Sequence, residues 1–143
     1  MKISTKGRYS LRMMIDLAEH YRNEEFISLK EISKRQNISK KYMEQIIPLL
    51  NNQDLLKTLK GQHGGYMLAK HPSQITVADI ISCAEGGLDI IDLDPGKNAY
   101  DISNVYMTIP VWDGLNKLIR DYLESITLQD ILDDYGQIGM YVI

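Results

Sequence analysis

Lys40, Lys41, Glu44 and Gln45 bring two cations, a carboxylate and an amide into one short stretch. At helical spacing these four side chains share one side. Lysines suit phosphate, a carboxylate can accept from the cytosine amine, and a glutamine can read an adenine edge. Tyr42 lies among them. Ser39 stands just before, where a hydroxyl caps a helix whose first N–H groups face an anion. A second group follows at Lys60, Gln62 and His63, with Gly64 and Gly65 beside them. A lysine at a glycine-rich tip fits the backbone or the minor groove of a duplex. Lys6 and Arg8, flanked by Lys2 and Arg12, and Ser28 at a helix start are further candidates for DNA contact. The plainer reading of every one of these groups is a polar surface that touches only water.

Other chemistries find less material. His63 has no second ligand at metal-binding spacing, so no metal is expected. The single cysteine, Cys83, excludes an internal disulfide and a multi-cysteine zinc site. Cys83 follows Ile80 and Ile81 on an apolar face. It reads either as a packed, inert thiol or as a redox sensor, which needs an exposed thiolate of low pKa. Asp89, Asp92 and Asp94 read as a solvated loop rather than a general acid/base pair. No glycine-rich loop leads from a strand into a helix, so nucleotide binding has no support. The expectation is a protein without enzymatic activity and without a cofactor.

Charge supports a polyanionic partner. The 143 residues carry a net charge of −3, but the chain is divided. Residues 1–72 hold 13 Lys/Arg against 7 Asp/Glu, a balance of +6, whereas residues 73–143 hold 3 against 12, a balance of −9. A basic half can dock on phosphate, and an acidic half is repelled by it. No apolar run approaches the roughly 20 residues of a membrane span. The opening MKISTKGRYS has no apolar signal region, so a cytoplasmic protein is expected.

The elements that must position these groups can be read from periodicity and caps. Tyr9, Met13, Leu17 and Tyr21 recur at i+4 and predict a first helix over Ser4–Arg22. Phe26–Ser28 is a short link or strand. Ser28 and Glu31 form an S-x-x-E capping box, with Ile27 and Ile32 as a hydrophobic staple. That helix runs to about Gln36. Asn37-Ile38-Ser39 is a tight turn, and the next helix covers Lys40 to about Asn52, with Met43, Ile46, Ile47 and Leu50 inward. Pro48 should kink it or weaken one backbone bond. Two short helices across a three-residue turn match a helix–turn–helix. Leu55–Leu59 and Tyr66–Leu68 are the strands of a wing, with Tyr66 packing its base. Thr76 caps a helix over Val77–Ala84, and Leu88–Met107 is loop-like. A helix over about Thr108–Ser125 carries a stripe at Trp112, Leu115, Leu118, Ile119, Tyr122 and Leu123. With no long helix after it to cover this stripe, the stripe reads as a dimer seam. Thr127 caps a short last helix, Leu128–Asp134, and Gly136–Ile143 is a tail. The expected fold is mainly α: a winged helix–turn–helix domain at 1–85, a loop at 86–107, a dimerisation helix and a short helix at 108–135, and a tail at 136–143.

Several motifs in this order resemble the Rrf-two family of bacterial winged-helix repressors over nearly the whole chain. They are ISTKGRY at Ile3–Tyr9, ISKKYMEQI at Ile38–Ile46, KGQHGGY at Lys60–Tyr66 against the family's RG-x-x-GGY, and the Trp112–Leu123 helix followed by SITLQDIL at Ser125–Leu132. The resemblance implies a homodimer joined through the long helices, with Lys40–Gln45 in the major groove and the wing at the minor groove of double-stranded DNA. It also implies a pseudo-palindromic operator with half-sites an integral number of turns apart. Lys60 stands where the family has arginine, and lysine lacks the planar fork. Iron–sulfur members carry three cysteines in the region matching Leu88–Met107. This chain has none there, which rules out a cluster held by those cysteines; in its start and its end it resembles the cluster-free, cysteine-metabolism repressor (CymR-like) branch. Cysteine synthases, as a family, bind partner peptides that end in isoleucine. Tyr141, Val142 and Ile143 therefore read as a docking tail for such a synthase, or else as a short edge strand on the chain's own domain. Three alternatives remain at this level: gating by a ligand in the loop region, redox gating, and a winged-helix interaction module without DNA binding.

Overall fold

The computed structural model describes residues 2–92 and 102–142, with side chains over 2–92 and 107–136. Among the described residues the order is α1 (Thr5–Glu19), α2 (Leu29–Gln36), α3 (Lys40–Asn51), β1 (Leu56–Leu59), β2 (Gly65–Leu68), α4 (Val77–Glu85), α5 (Ile102–Glu124) and α6 (Leu128–Val142). A 3-10 turn at Tyr21–Asn23 follows α1, where the first helix was expected to continue to Arg22.

The expected caps start the helices. The Ser28 hydroxyl accepts from the Glu31 N–H at 3.2 Å and the Ser39 hydroxyl from the Tyr42 N–H at 3.1 Å. Thr76 with Asp79, and Thr127 with Asp130, each exchange hydrogen bonds in both directions. Asn37 ends α2 at φ 54°, a left-handed conformation that asparagine adopts more readily than most residues. Helix α3 runs through Pro48, which costs it one N–H but does not end it. Around this frame Met13, Met14 and Leu17 of α1, Ile32 of α2, Met43, Ile46 and Leu50 of α3, Ile80 of α4 and Leu128 of α6 close into one core.

The wing pairs antiparallel, with Leu56 opposite Leu68 and Leu59 opposite Gly65. Ile27 joins it through a reciprocal bridge to Tyr66, both N···O distances being 2.8 Å, so the link before α2 serves as a third edge. A second bridge, Thr76 to Thr127, sets the starts of α4 and α6 side by side. At the other end of α4, the Ser4 N–H and hydroxyl both donate to Glu85, anchoring the start of α1.

Two boundaries correct the sequence reading. Helix α5 begins at Ile102, inside the segment expected as loop, and Pro110 lies within it rather than near its start. Helix α6 continues to Val142, so residues 136–142 prolong a helix instead of forming a separate tail or an edge strand. Glycine at 136 and 139 costs a helix only about 1 kcal/mol each, which neighbouring turns can absorb. Of the predicted tail, the side chains of Tyr141 and Val142, and Ile143 itself, lie outside the described residues, as do Asp94, Pro95 and Gly96 of the predicted loop. Among the described residues no helix is long and apolar enough to cross a membrane.

Candidate nucleic-acid interface

Helix α3 sorts its residues by face. Met43, Ile46, Ile47 and Leu50 are buried, while Lys40, Lys41, Glu44 and Gln45 are exposed together on the opposite side. Burial of one stripe thus fixes which four polar groups the helix presents. Ser39 occupies the Tyr42 N–H, and the N–H groups of Lys40 and Lys41 belong to the first turn, where a helix offers no internal acceptor. The end bearing the two lysines is therefore also the positive end of the helix dipole.

Tyr42 differs from its neighbours. Its ring is half-buried and meets Tyr9 of α1 edge-on, 5.4 Å between centroids. The Arg12 guanidinium lies 5.1 Å from the Tyr9 centroid and donates to the Gln36 carbonyl at the end of α2. This stack joins α1 to both helices of the helix–turn–helix. Lys6 and Arg8 project from the first turns of α1 and are exposed; Arg8 also reaches the Thr5 hydroxyl at 3.1 Å.

The wing tip exposes Lys60, Gln62 and His63. Gly64 and Gly65 serve the tip's construction. A Cβ on Gly64 would lie 2.0 Å from the Leu59 carbonyl oxygen, and one on Gly65 would lie 2.3 Å from that of Ile27. No L side chain fits at either distance, so glycine at both positions lets the turn close and lets β2 come close enough for the Tyr66–Ile27 bridge. Ser28 is half-buried and its hydroxyl is committed to capping α2.

One positioning device has no local signature in the sequence. Asp16 of α1 is buried, with its side chain 1% exposed, and receives Arg35 in a fork: Nε to Oδ2 at 3.0 Å and Nη2 to Oδ1 at 2.8 Å. Gln36 Nε2 adds a third bond at 3.0 Å. The hydrogen bond to Asp16 raises the Arg35 pKa further above its already high ordinary value, so the guanidinium stays charged at every working pH. The clamp fixes α2, and through the Asn37 turn α3, against α1.

The predicted seam residues lie along α5. Leu118 and Tyr122 are 69% and 66% exposed, Trp112 is also exposed, and Leu115, Ile119 and Leu123 are half-buried. The greater length of α6 therefore does not cover the stripe. Leu118, Ile119, Tyr122 and Leu123 face Ile3, Ile81, Leu88 and Ile90 across an open apolar groove of about 470 Å³. Asn116, buried among these, accepts from the Ile90 N–H at 2.9 Å and donates to the Ile91 carbonyl at 3.0 Å, fastening the segment after α4 to α5. Cys83 is half-buried, and desolvation, with the Asp79 charge second, pushes its thiol up to about 11. Such a thiol is almost wholly protonated at neutral pH, which favours the inert reading over the redox sensor. Among the described residues no His, Cys, Asp and Glu cluster has the makings of a metal site.

Comparison with known proteins agrees with this geometry. The Rrf2 family, described as "Iron-dependent Transcriptional regulator", matches residues 3–134. The chain is 39% identical over 133 residues to a helix-turn-helix transcriptional regulator of Neisseria meningitidis serogroup A, covering 93% of this chain and 88% of the other. It is 36% identical over 135 residues to the transcriptional regulator CymR of Bacillus subtilis, covering 92% and 89%. The solved structure of that CymR, titled the global cysteine regulator, superposes with a TM-score of 0.73 over 92% of this chain and 95% of its own. The IscR structure from T. potens is 40% identical with a TM-score of 0.71, covering 94% and 88%. With a family match over nearly its whole length and a helix–turn–helix followed by a two-stranded wing, the chain belongs to the Rrf2 family of DNA-binding transcriptional regulators.

Proposed function

We propose that this regulator acts as a homodimeric, sequence-specific repressor that needs no iron–sulfur cluster. The observation that carries the reading is the exposed face of α3, where Lys40, Lys41, Glu44 and Gln45 stand opposite a buried stripe. In this reading α3 enters the major groove, its lysines and first-turn N–H groups hold phosphate, and Glu44 and Gln45 read base edges. Lys60, Gln62 and His63 meet the neighbouring minor groove, and Lys6 and Arg8 hold flanking phosphates. The exposed stripe of α5, with Trp112, Leu118 and Tyr122, pairs with the same stripe of a second copy, giving a two-fold operator.

Bound chromosomal fragments, recovered genome-wide, supply the duplex for the test. Affinity for it must fall steeply as salt rises. Lys60→Ala should weaken binding to all sequences, and Glu44→Ala should relax the choice of base. If both variants bind like the wild type, this contact surface is wrong. Transcripts next to the bound sites should rise when the protein is absent; a fall would make it an activator.

The likeness to CymR, a global cysteine regulator, supports a regulon in sulfur metabolism, and the isoleucine-ended sequence Tyr141–Ile143 suits cysteine synthase as a partner. A free carboxylate with an isoleucine side chain suits a backbone-lined pocket. Tyr141 and Val142 have helical backbone, so these two residues must leave a helix end to dock. Deleting Ile143 should abolish synthase binding, and unchanged affinity would sink this partner.

A further inference from the structure

Leu59 is 47% exposed at the end of β1, next to Lys60. Its exposure has a structural cause. The residue opposite it in the wing is Gly65, which cannot carry a side chain because Ile27 approaches too closely. Gly64 is closed to a side chain by the Leu59 carbonyl itself. The tip is thus built so that the position directly opposite this leucine has no side chain to shield it. The other exposed large apolar residues among those described are Ile3, Ile90, Met107, Val111, Trp112, Leu118, Tyr122 and Tyr135. None of them lies in the wing, so pairing along α5 gives Leu59 no role.

We propose that Leu59 is a DNA-contacting residue, laid against the sugars and floor of the minor groove beside Lys60. This deepens the reading of the wing as a minor-groove element and rests on it. The occupant follows from what surrounds the leucine: a lysine, a glutamine and a histidine on a tip within the basic half of the chain. A groove walled by phosphates and floored by apolar sugar and base edges matches a cation next to a leucine. The chemistry also predicts a preference. Guanine projects its 2-amino group into the minor groove, whereas A·T pairs do not. An apolar side chain that leaves this amine without a partner should select against G·C at the wing position.

The test uses the full chain with three duplex probes, alternating dA-dT, dG-dC and dI-dC. Inosine keeps the major-groove face of guanine but lacks the 2-amino group. Wild-type protein should bind dI-dC and dA-dT several-fold more tightly than dG-dC. A buried methylene is worth about a factor of four. Partial burial of the carbons beyond Cβ therefore makes Leu59→Ala weaker on dI-dC by on the order of tenfold. Its salt slope should be unchanged, because no phosphate contact is lost, and its dI-dC over dG-dC preference should flatten. Lys60→Ala, by contrast, should lower the salt slope by about 1. Leu59→Met should retain wild-type behaviour and Leu59→Gln should not, which separates a lost apolar contact from a damaged wing. Wild-type binding by Leu59→Ala while Lys60→Ala is weakened would overturn the role of Leu59 and leave the wing reading intact. If neither variant is weakened, the wing reading falls and Leu59 with it.

Discussion

Replacing Arg35 with alanine strips a buried carboxylate of its cation. Asp16 keeps the Gln36 amide at 3.0 Å and the more distant His20 ring, Nδ1 at 3.9 Å, and its own side chain is 1% exposed. Breaking a buried ion pair from one side costs about 3–5 kcal/mol when the remaining charge stays dry. Here the arginine side chain is 38% exposed, so solvent screens the pair and water can follow the lost guanidinium to Asp16. The expected loss is therefore about 2–3 kcal/mol. For a chain of this length that lowers the melting temperature by about 5–10 °C. Urea unfolding at one fixed protein concentration reads the effect, since dimerisation makes apparent stability concentration-dependent. Arg35→Lys keeps the charge without the fork and should fall between alanine and wild type. Asp16→Leu combined with Arg35→Ala should cost less than the two single changes added together, because the pair acts as a unit. A loss below about 0.5 kcal/mol for Arg35→Ala would refute the clamp as a stabilising element. DNA affinity should fall along with stability, since α2 sets the pose of α3.

Other expectations follow from single features. Gly65→Ala forces a Cβ to 2.3 Å from the Ile27 carbonyl oxygen and should cost about 1–3 kcal/mol with a marked loss of DNA binding; an unchanged urea midpoint would contradict the packing. Leu118→Asp places a charge in the proposed seam but on a side chain 69% exposed in the single chain, so sedimentation should show folded monomers. Persistent dimers would move the interface elsewhere. Cys83, with its pKa raised to about 11, should alkylate very slowly at pH 7 and about tenfold faster per pH unit until the thiol titrates. The sign for stability is that of a raised pKa: the contribution is present below the unfolded thiol's ordinary value near 9 and is lost as pH rises towards 11. Fast alkylation at neutral pH would reopen the redox reading.

The DNA-binding part was legible because its signals are local. Ser28, Ser39, Thr76 and Thr127 each announce a helix within three residues, Asn37 announces the turn, and the wing strands fall within one residue of their expected bounds. The two misplaced boundaries lie where local chemistry argues against the result. Residues 102–110 mix β-branched residues, Ser, Asn and Pro, all weak helix formers, yet they open a helix of 23 residues. The tail expected from Gly136 onward is instead a continuation of α6 to Val142. The groups that set the geometry of the site were silent for a different reason. Asp16 and Arg35 are 19 residues apart, and Asn116 lies 26 residues from Ile90. Nothing in a linear pattern pairs them, and only packing brings them together. Tyr42, placed among the DNA contacts by position, also packs its half-buried ring on Tyr9 and so helps to seat α3.

The bridge between Thr76 and Thr127 has a mechanical consequence. It pins the corner after α5 to the start of α4, and Asn116 pins the same helix a second time part-way along. From Asn116 back to Ile102 the helix runs on for about 20 Å at 1.5 Å per residue. Taken as a rigid rod, the helix turns with its mount at those two ties. A tilt of about 5° at the mount swings the far end by nearly 2 Å over that length. Run in reverse, displacement of the far end applies leverage at the Thr76 mount, on the helix that packs against α1 and its clamp on α2.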